Sequence, residues 1–191
     1  MTRLVLPLLF AALALQTVPT SAAGETPAAC AVLSQAEAAK LAGAPLGEIA
    51  KGEVKASDQN GNDHQTSCGY FPKGYHIDKA DGPPDSGLLV ELHAFRSADD
   101  AKRFYEGVLG MHMEMAKARG NAGAGGAVTT VSGIGEGAYL LPTVLPNPAA
   151  KIVTLTTRKG SIVASVQVWK NAAPVDPIAR AAGARVVAKL P

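Results

Sequence analysis

Two β-forming stretches, 152–158 and 161–169, flank the dipeptide Lys159-Gly160, and no other feature limits the possible folds of this chain so tightly. A two-residue connection carrying glycine joins adjacent antiparallel strands, because such short turns follow the twist of the strands they link. Pairing Arg158 with Ser161 sets Thr157 opposite Ile162, Leu155 opposite Ala164 and Val153 opposite Val166, so the apolar sets meet on one face.

Other elements extend this sheet. Leu88, Val90, Leu92 and Ala94 alternate with Leu89, Glu91, His93 and Phe95, a period-two strand that leaves His93 on the less buried face. Residues 45–56 and 66–71 read as strands around the turn-rich 57–63, and 134–141 reads as a short strand. A first helix starts at Ser34, where Ser34 and Glu37 have capping-box spacing, and stops at Gly43. Ser97-Ala98-Asp99-Asp100 opens a second that runs to about Arg119, before a glycine-rich break at 120–126. The last has Asp176 as its cap and Pro177 at its first position, and carries Ala179, Ala182, Val186 and Leu190. This order predicts an α+β fold, a mainly antiparallel sheet with helices packed on it, rather than a doubly wound parallel one.

The N-terminus has a different composition. Arg3 precedes the apolar run 4–15, and a polar stretch then ends in Ser21-Ala22-Ala23, the three regions of a secretory signal with cleavage near Ala23. The run of about 12 apolar residues is shorter than the roughly 20 that cross a bilayer. The expected products are a signal peptide at 1–23, a short leader at 24–29 and one domain at 30–191, located in the periplasm or secreted, with no later span. In that oxidising setting the two cysteines, Cys30 and Cys68, are expected to form a disulfide. Two thiols without histidines at ligand spacing make a poor zinc site.

Hydrophobic residues make up 47% of the chain, charged residues 18%, and the net charge is +2, with acids and lysines interspersed. That balance excludes a disordered tail and lacks the clustered positive patch of a nucleic-acid binder.

Two stretches carry metal-binding or proton-transfer side chains. The loop with Tyr75, His76, Asp78 and Asp81, then Asp85, could hold a cation or a ligand, although solvated loops often have this composition. Met111, His112, Met113 and Met115 suggest copper, because thioethers and imidazole bind Cu(I). Helix geometry opposes a simple version of that site. At about 100° per residue Met111 and Met115 share the face of Phe104 and Val108 while Met113 points away. The expectation is that Met111 and Met115 pack into the core and Met113 is exposed.

Asp58, Asn60 and Asn62 lack the glycine and glutamate positions of a calcium loop. Gly133 to Gly137 precede a strand rather than a helix, so they read as a tight turn and not as a phosphate cradle. No nucleophile elbow occurs, and the four histidines are scattered.

Several segments resemble a known group. The stretch 29–39, from Ala29-Cys30 through Ser34 and Glu37, then 41–45, Ser67-Cys68-Gly69-Tyr70 and the glycine turn at 131–139 are similar to small exported bacterial domains of unknown function. They look like LpqN-type lipoproteins and sensor-like extracellular domains of actinobacteria. The resemblance implies a PsbP-like α+β sandwich and a binding or envelope role without known catalysis. No lipobox is present, so lipid tethering is not implied, and no functional residue carries over.

The resulting expectation is an exported, non-catalytic domain that binds a small ligand or an envelope protein, without a cofactor. Copper handling through Met111, His112 and Met115 is the alternative.

Overall fold

The computed structural model describes residues 27–55, 62–75, 84–118, 127–144, 150–171 and 174–191. The expected signal peptide and its cleavage site lie outside the described residues, as do the turn at 57–61 and most of the loop at 76–83. Among the described residues, no helix is long and apolar enough to cross a membrane.

Among the described residues, seven strands form one antiparallel sheet: β1 (Gly47–Lys55), β2 (Asn62–Phe71), β3 (Ser86–Phe95), β4 (Thr129–Val131), β5 (Gly137–Val144), β6 (Ala150–Lys159) and β7 (Ile162–Asn171), in the order β1-β2-β3-β7-β6-β5-β4. Four helices accompany them: α1 (Ala29–Val32), α2 (Gln35–Ala42), α3 (Ala98–Ala118) and α4 (Asp176–Lys189). The fold is α+β, as the sequence pattern indicates.

The hairpin forms, but its turn sits one residue later than the sequence suggests. Lys159 pairs with Ile162, and Leu155 lies opposite Val166 rather than Ala164. The turn is therefore Gly160-Ser161. Hairpin turns of this length need a positive φ at their first central residue, and Gly160 takes it at 54° where Lys159 would be strained. Lys159, kept in the strand, donates from Nζ to the carbonyls of Val187 and Leu190 at the end of α4. Each partner moved by two positions, which preserves the faces, so matching apolar sets could not tell the registers apart.

Other boundaries also shift. Residues 134–136 form the glycine turn, with φ of 62° at Gly135, and the strand begins only at Gly137. A Cβ on Gly135 would lie 2.4 Å from the Arg158 carbonyl oxygen, so this close approach requires glycine. Strand β4, missed in the sequence, pairs with β5. In α4 the cap is Val175 and Asp176 is already helical; Val175 is buried, so packing sets the entry instead of a side-chain cap.

One side of the sheet is covered by α1, α2 and α4 and is almost wholly apolar. Leu88, Val90 and Leu92 of β3, Ala164, Val166 and Val168 of β7, Val153 and Leu155 of β6, and Ala138 and Leu140 of β5 are all buried there against Ala179, Ala182 and Val186. The small residues of α4 set the spacing: a Cβ on Gly183 would lie 2.5 Å from Leu155 Cδ2. The α2 cap forms as expected, with Ser34 N donating to the Glu37 carboxylate and Glu37 N to Ser34 Oγ.

Cys30 and Cys68 are joined, which ties α1 to β2 across 38 residues. Closing such a loop stabilises the fold by about 4 kcal/mol on the chain-entropy account. Two hydrogen bonds reinforce the tie: Ala29 N donates to Thr66 Oγ1 at 3.1 Å, and the Tyr70 hydroxyl donates to the Leu33 carbonyl.

Candidate functional site

Among the described residues, the other side of the sheet carries only α3. Strand alternation places Ser67, Glu91, Ser165, Thr156 and Tyr139 in one row across five neighbouring strands. Leu89, Gln167, Thr154 and Leu141 form the next row, and Gly87, Trp169, Ile152 and Thr143 the one beyond. Where the α4 side presents mostly aliphatics, these rows mix hydroxyls, an amide and a carboxyl with Leu89, Leu141, Ile152 and Trp169.

Helix α3 begins close to this face. Ser97 Oγ accepts from Asp100 N at 3.1 Å and starts the helix. Ala101 is fully buried, and its small side chain lets the helix approach Phe95 and Val163. Tyr105 packs on Tyr139 with ring centroids 5.6 Å apart, and Phe104 packs on Phe95 and His93. Farther along, burial falls away. Val108, Leu109, His112 and Ala116 are only half-buried, and Met111, Met113 and Met115 are 51%, 46% and 43% exposed.

The expectation that Met111 and Met115 pack into the core is therefore wrong. The buried arc of α3 centres on Ala101, Tyr105 and His112, which recur at helical spacing. The sequence pattern instead points to an arc of Phe104, Val108, Met111 and Met115, the larger apolar residues of the helix. Those residues form the flank of the helix on the His93 side. His112 turns inward: its Nδ1 is hydrogen-bonded to the Tyr139 hydroxyl at 3.1 Å, so it does not converge with the methionine sulfurs on their flank.

Of the loop residues, Tyr75 alone is described; His76, Asp78 and Asp81 lie outside the described residues. Tyr75 packs on Phe71 at 5.1 Å, and Phe71 meets Trp169 edge-on at 5.3 Å. Phe71 lies over Gly87, where a Cβ would come within 2.5 Å of its ring. These three aromatic residues close the end of the sheet face away from the start of α3. Asp85 has a structural task, since its carbonyl accepts from Asn171 N at 3.0 Å and its carboxylate from the Asn171 amide.

Among the described residues, the face between α3 and the aromatic cluster is an open strip of half-buried Ser67, Leu89, Glu91, Thr154, Ser165 and Gln167. Glu91 is the chemically distinctive member. Burial raises its carboxyl above the ordinary 4.5, and no described residue forms a hydrogen bond or ion pair with it. Burial likewise lowers His93 and His112, which favours neutral imidazoles. Such a strip can donate and accept hydrogen bonds with little charge of its own.

Among the described residues a hydrolytic set is not assembled on this face. Ser165 lies opposite Glu91 and one position from the His93 row, but its hydroxyl is 3.3 Å from Thr156 Oγ1 and shares a hydrogen bond with it. Among the described residues no three metal-ligating His, Cys, Asp or Glu side chains converge. Glu91, Gln167 and Trp169 were not singled out in the sequence. The available signal was the second alternating set of β3, which puts a glutamate and a histidine on an interior strand.

No protein-family model matches the chain, and a search of curated proteins returns no match. Among solved structures, the extracellular domain of PknH from Mycobacterium tuberculosis superposes with a TM-score of 0.58 at 11% identity, covering 86% of this chain and 97% of that domain. At that identity the likeness concerns architecture: this chain shares the fold of that domain.

Proposed function

We propose that the chain is an exported, non-catalytic binding domain of the cell envelope, which receives a small ligand or a protein partner on the α3 side of its sheet. The observation that supports this most is Glu91, a half-buried carboxyl without a described partner on an interior strand. A carboxyl at this place, flanked by the hydroxyls of Ser67 and Ser165 in the same row, offers an acceptor to a ligand's hydrogen-bond donors. The disulfide, the export-type N-terminus and the resemblance to LpqN-type and sensor-like domains point to the same setting outside the cytoplasm.

Site-specific photocrosslinking in cells exporting the full chain tests this reading. A crosslinker at Gln167 should capture one species reproducibly, while one at exposed Ala184 on the outer side of α4 should not. Equal labelling from both positions, or none from Gln167, would remove the α3 side as a binding surface.

Copper handling is the second reading, kept because Met111 and Met115 are exposed one helical turn apart. Titration with Cu(I) should then show saturable binding that the Met111→Leu/Met115→Leu variant loses; no binding at micromolar metal ends it.

A further inference from the structure

We infer that the ligand of the open strip is an oligosaccharide, held with its sugar hydroxyls on Glu91, Gln167, Ser67 and Ser165 and its chain running toward Trp169. This inference rests on the binding reading above and adds the chemical class.

The strip lies on the interior strands β2, β3, β7 and β6, whose backbone groups are paired in the ladders. An extended peptide recognised by strand addition needs a free edge, so recognition here falls to side chains. Those side chains are hydroxyls, a primary amide and one carboxyl. A sugar ring presents hydroxyls around its rim and C–H groups on its faces. Its receptor therefore needs planar polar groups for the rim and an aromatic surface for the faces. Both are present in the same rows. Half-buried Trp169 stands between Ile152 and Gly87 and is braced by Phe71, with Tyr75 behind it.

The spacing favours a chain of sugars over a single ring. Glu91 and Gly87 are four residues apart on β3, and Trp169 pairs with Gly87. At about 3.3 Å per residue the carboxyl and the indole are separated by about 13 Å along the strand. One hexose cannot touch both. The carboxyl of Glu91 accepts from hydroxyls, and the amide of Gln167 both donates and accepts, a pairing that the rim of a sugar can satisfy.

Trp169 is the chain's only tryptophan, so its fluorescence reports from the site without a label. The full exported chain is titrated with chitotetraose, cellotetraose and maltotetraose, and with glucose at the same sugar concentration. The expected result is a saturable emission change with at least one tetrasaccharide and none with glucose. Glu91→Gln and Gln167→Ala should each bind about tenfold more weakly, the loss of one charge-assisted or amide hydrogen bond in a half-buried site. Ala184→Gln should bind as the parent does, and circular dichroism should show all variants folded. An emission change that persists in both strip variants overturns the assignment. Silence with every tetrasaccharide, while Gln167 still captures a species by photocrosslinking, overturns the sugar and leaves the binding surface standing. Silence in both experiments overturns both.

Discussion

The two sides of this sheet are built from the same strands and differ in what they are made to do. On the α4 side the central inward positions of β3, β5, β6 and β7 are apolar and buried, with Thr157 a buried polar exception that donates to the Ile134 carbonyl, and the helix above contributes alanine, glycine and valine that fit against them. On the α3 side the helix is anchored by its first two turns, its last turns rise into solvent, and the rows beyond it hold polar side chains. One side supplies stability; the other gives some up. That division is what the proposed binding role requires, because a face that receives a ligand must keep polar side chains within its reach.

Stability measurements can break or sharpen this contrast. The largest effect is expected from Leu155→Ala, which empties a fully buried position under α4 and should cost about 3 kcal/mol in denaturant unfolding. A loss below 1 kcal/mol would mean that the α4 side is not the close-packed one. Gly183→Ala inserts a methyl where Leu155 already stands and should cost about 1–3 kcal/mol by overpacking. An unchanged melting temperature would show that α4 can slide away from the sheet.

Glu91→Gln should act in the opposite direction. The native carboxyl holds its proton above the ordinary 4.5, so the folded state binds more protons than the unfolded one and stability falls as pH rises through that window. At pH 7 the variant, which has no charge to bury, should melt higher than the parent, and at pH 4 the two should converge. A lower melting temperature for the variant at pH 7 would show that Glu91 is a structural group. Glu37, on the other side, gives the reverse sign. The Ser34 backbone amide, with Lys189, lowers its carboxyl to about 2, so its stabilising contribution is present above 4.5 and fades as pH falls toward 2; Glu37→Gln should flatten that acid limb.

The smallest effect should come from Met111→Gln/Met115→Gln, within about 0.5 kcal/mol of the parent, as for exposed helix positions. A loss of several kcal/mol would restore the core role that helical periodicity first suggests for them.

Much of the α4 side is legible from residues alone. Period-two alternation in β3, the capping box at Ser34, the glycine stop at Gly43 and the small-residue stripe of α4 each follow from local rules, and each appears as read. The α3 side is much less legible. Its helix rotates so that His112 meets Tyr139, a contact between residues 27 positions apart, and no local pattern reports which arc of this helix faces the sheet. The turn at Gly160-Ser161 shows the same limit at smaller scale. Face matching is blind to a shift of two, and the register depends on the positive φ of glycine and on where Lys159 finds the end of α4.

Sequence by itself determined the class of fold, the cysteine pair and the apolar half of the sheet, since burial, chain alternation and caps act over a few residues. Only the tertiary structure decided that Ser67, Glu91, Ser165, Thr156 and Tyr139 stand in one row and that Trp169 shares their side. Those neighbours come from separate strands, and the pairing that aligns them is set by the packing of the whole sheet.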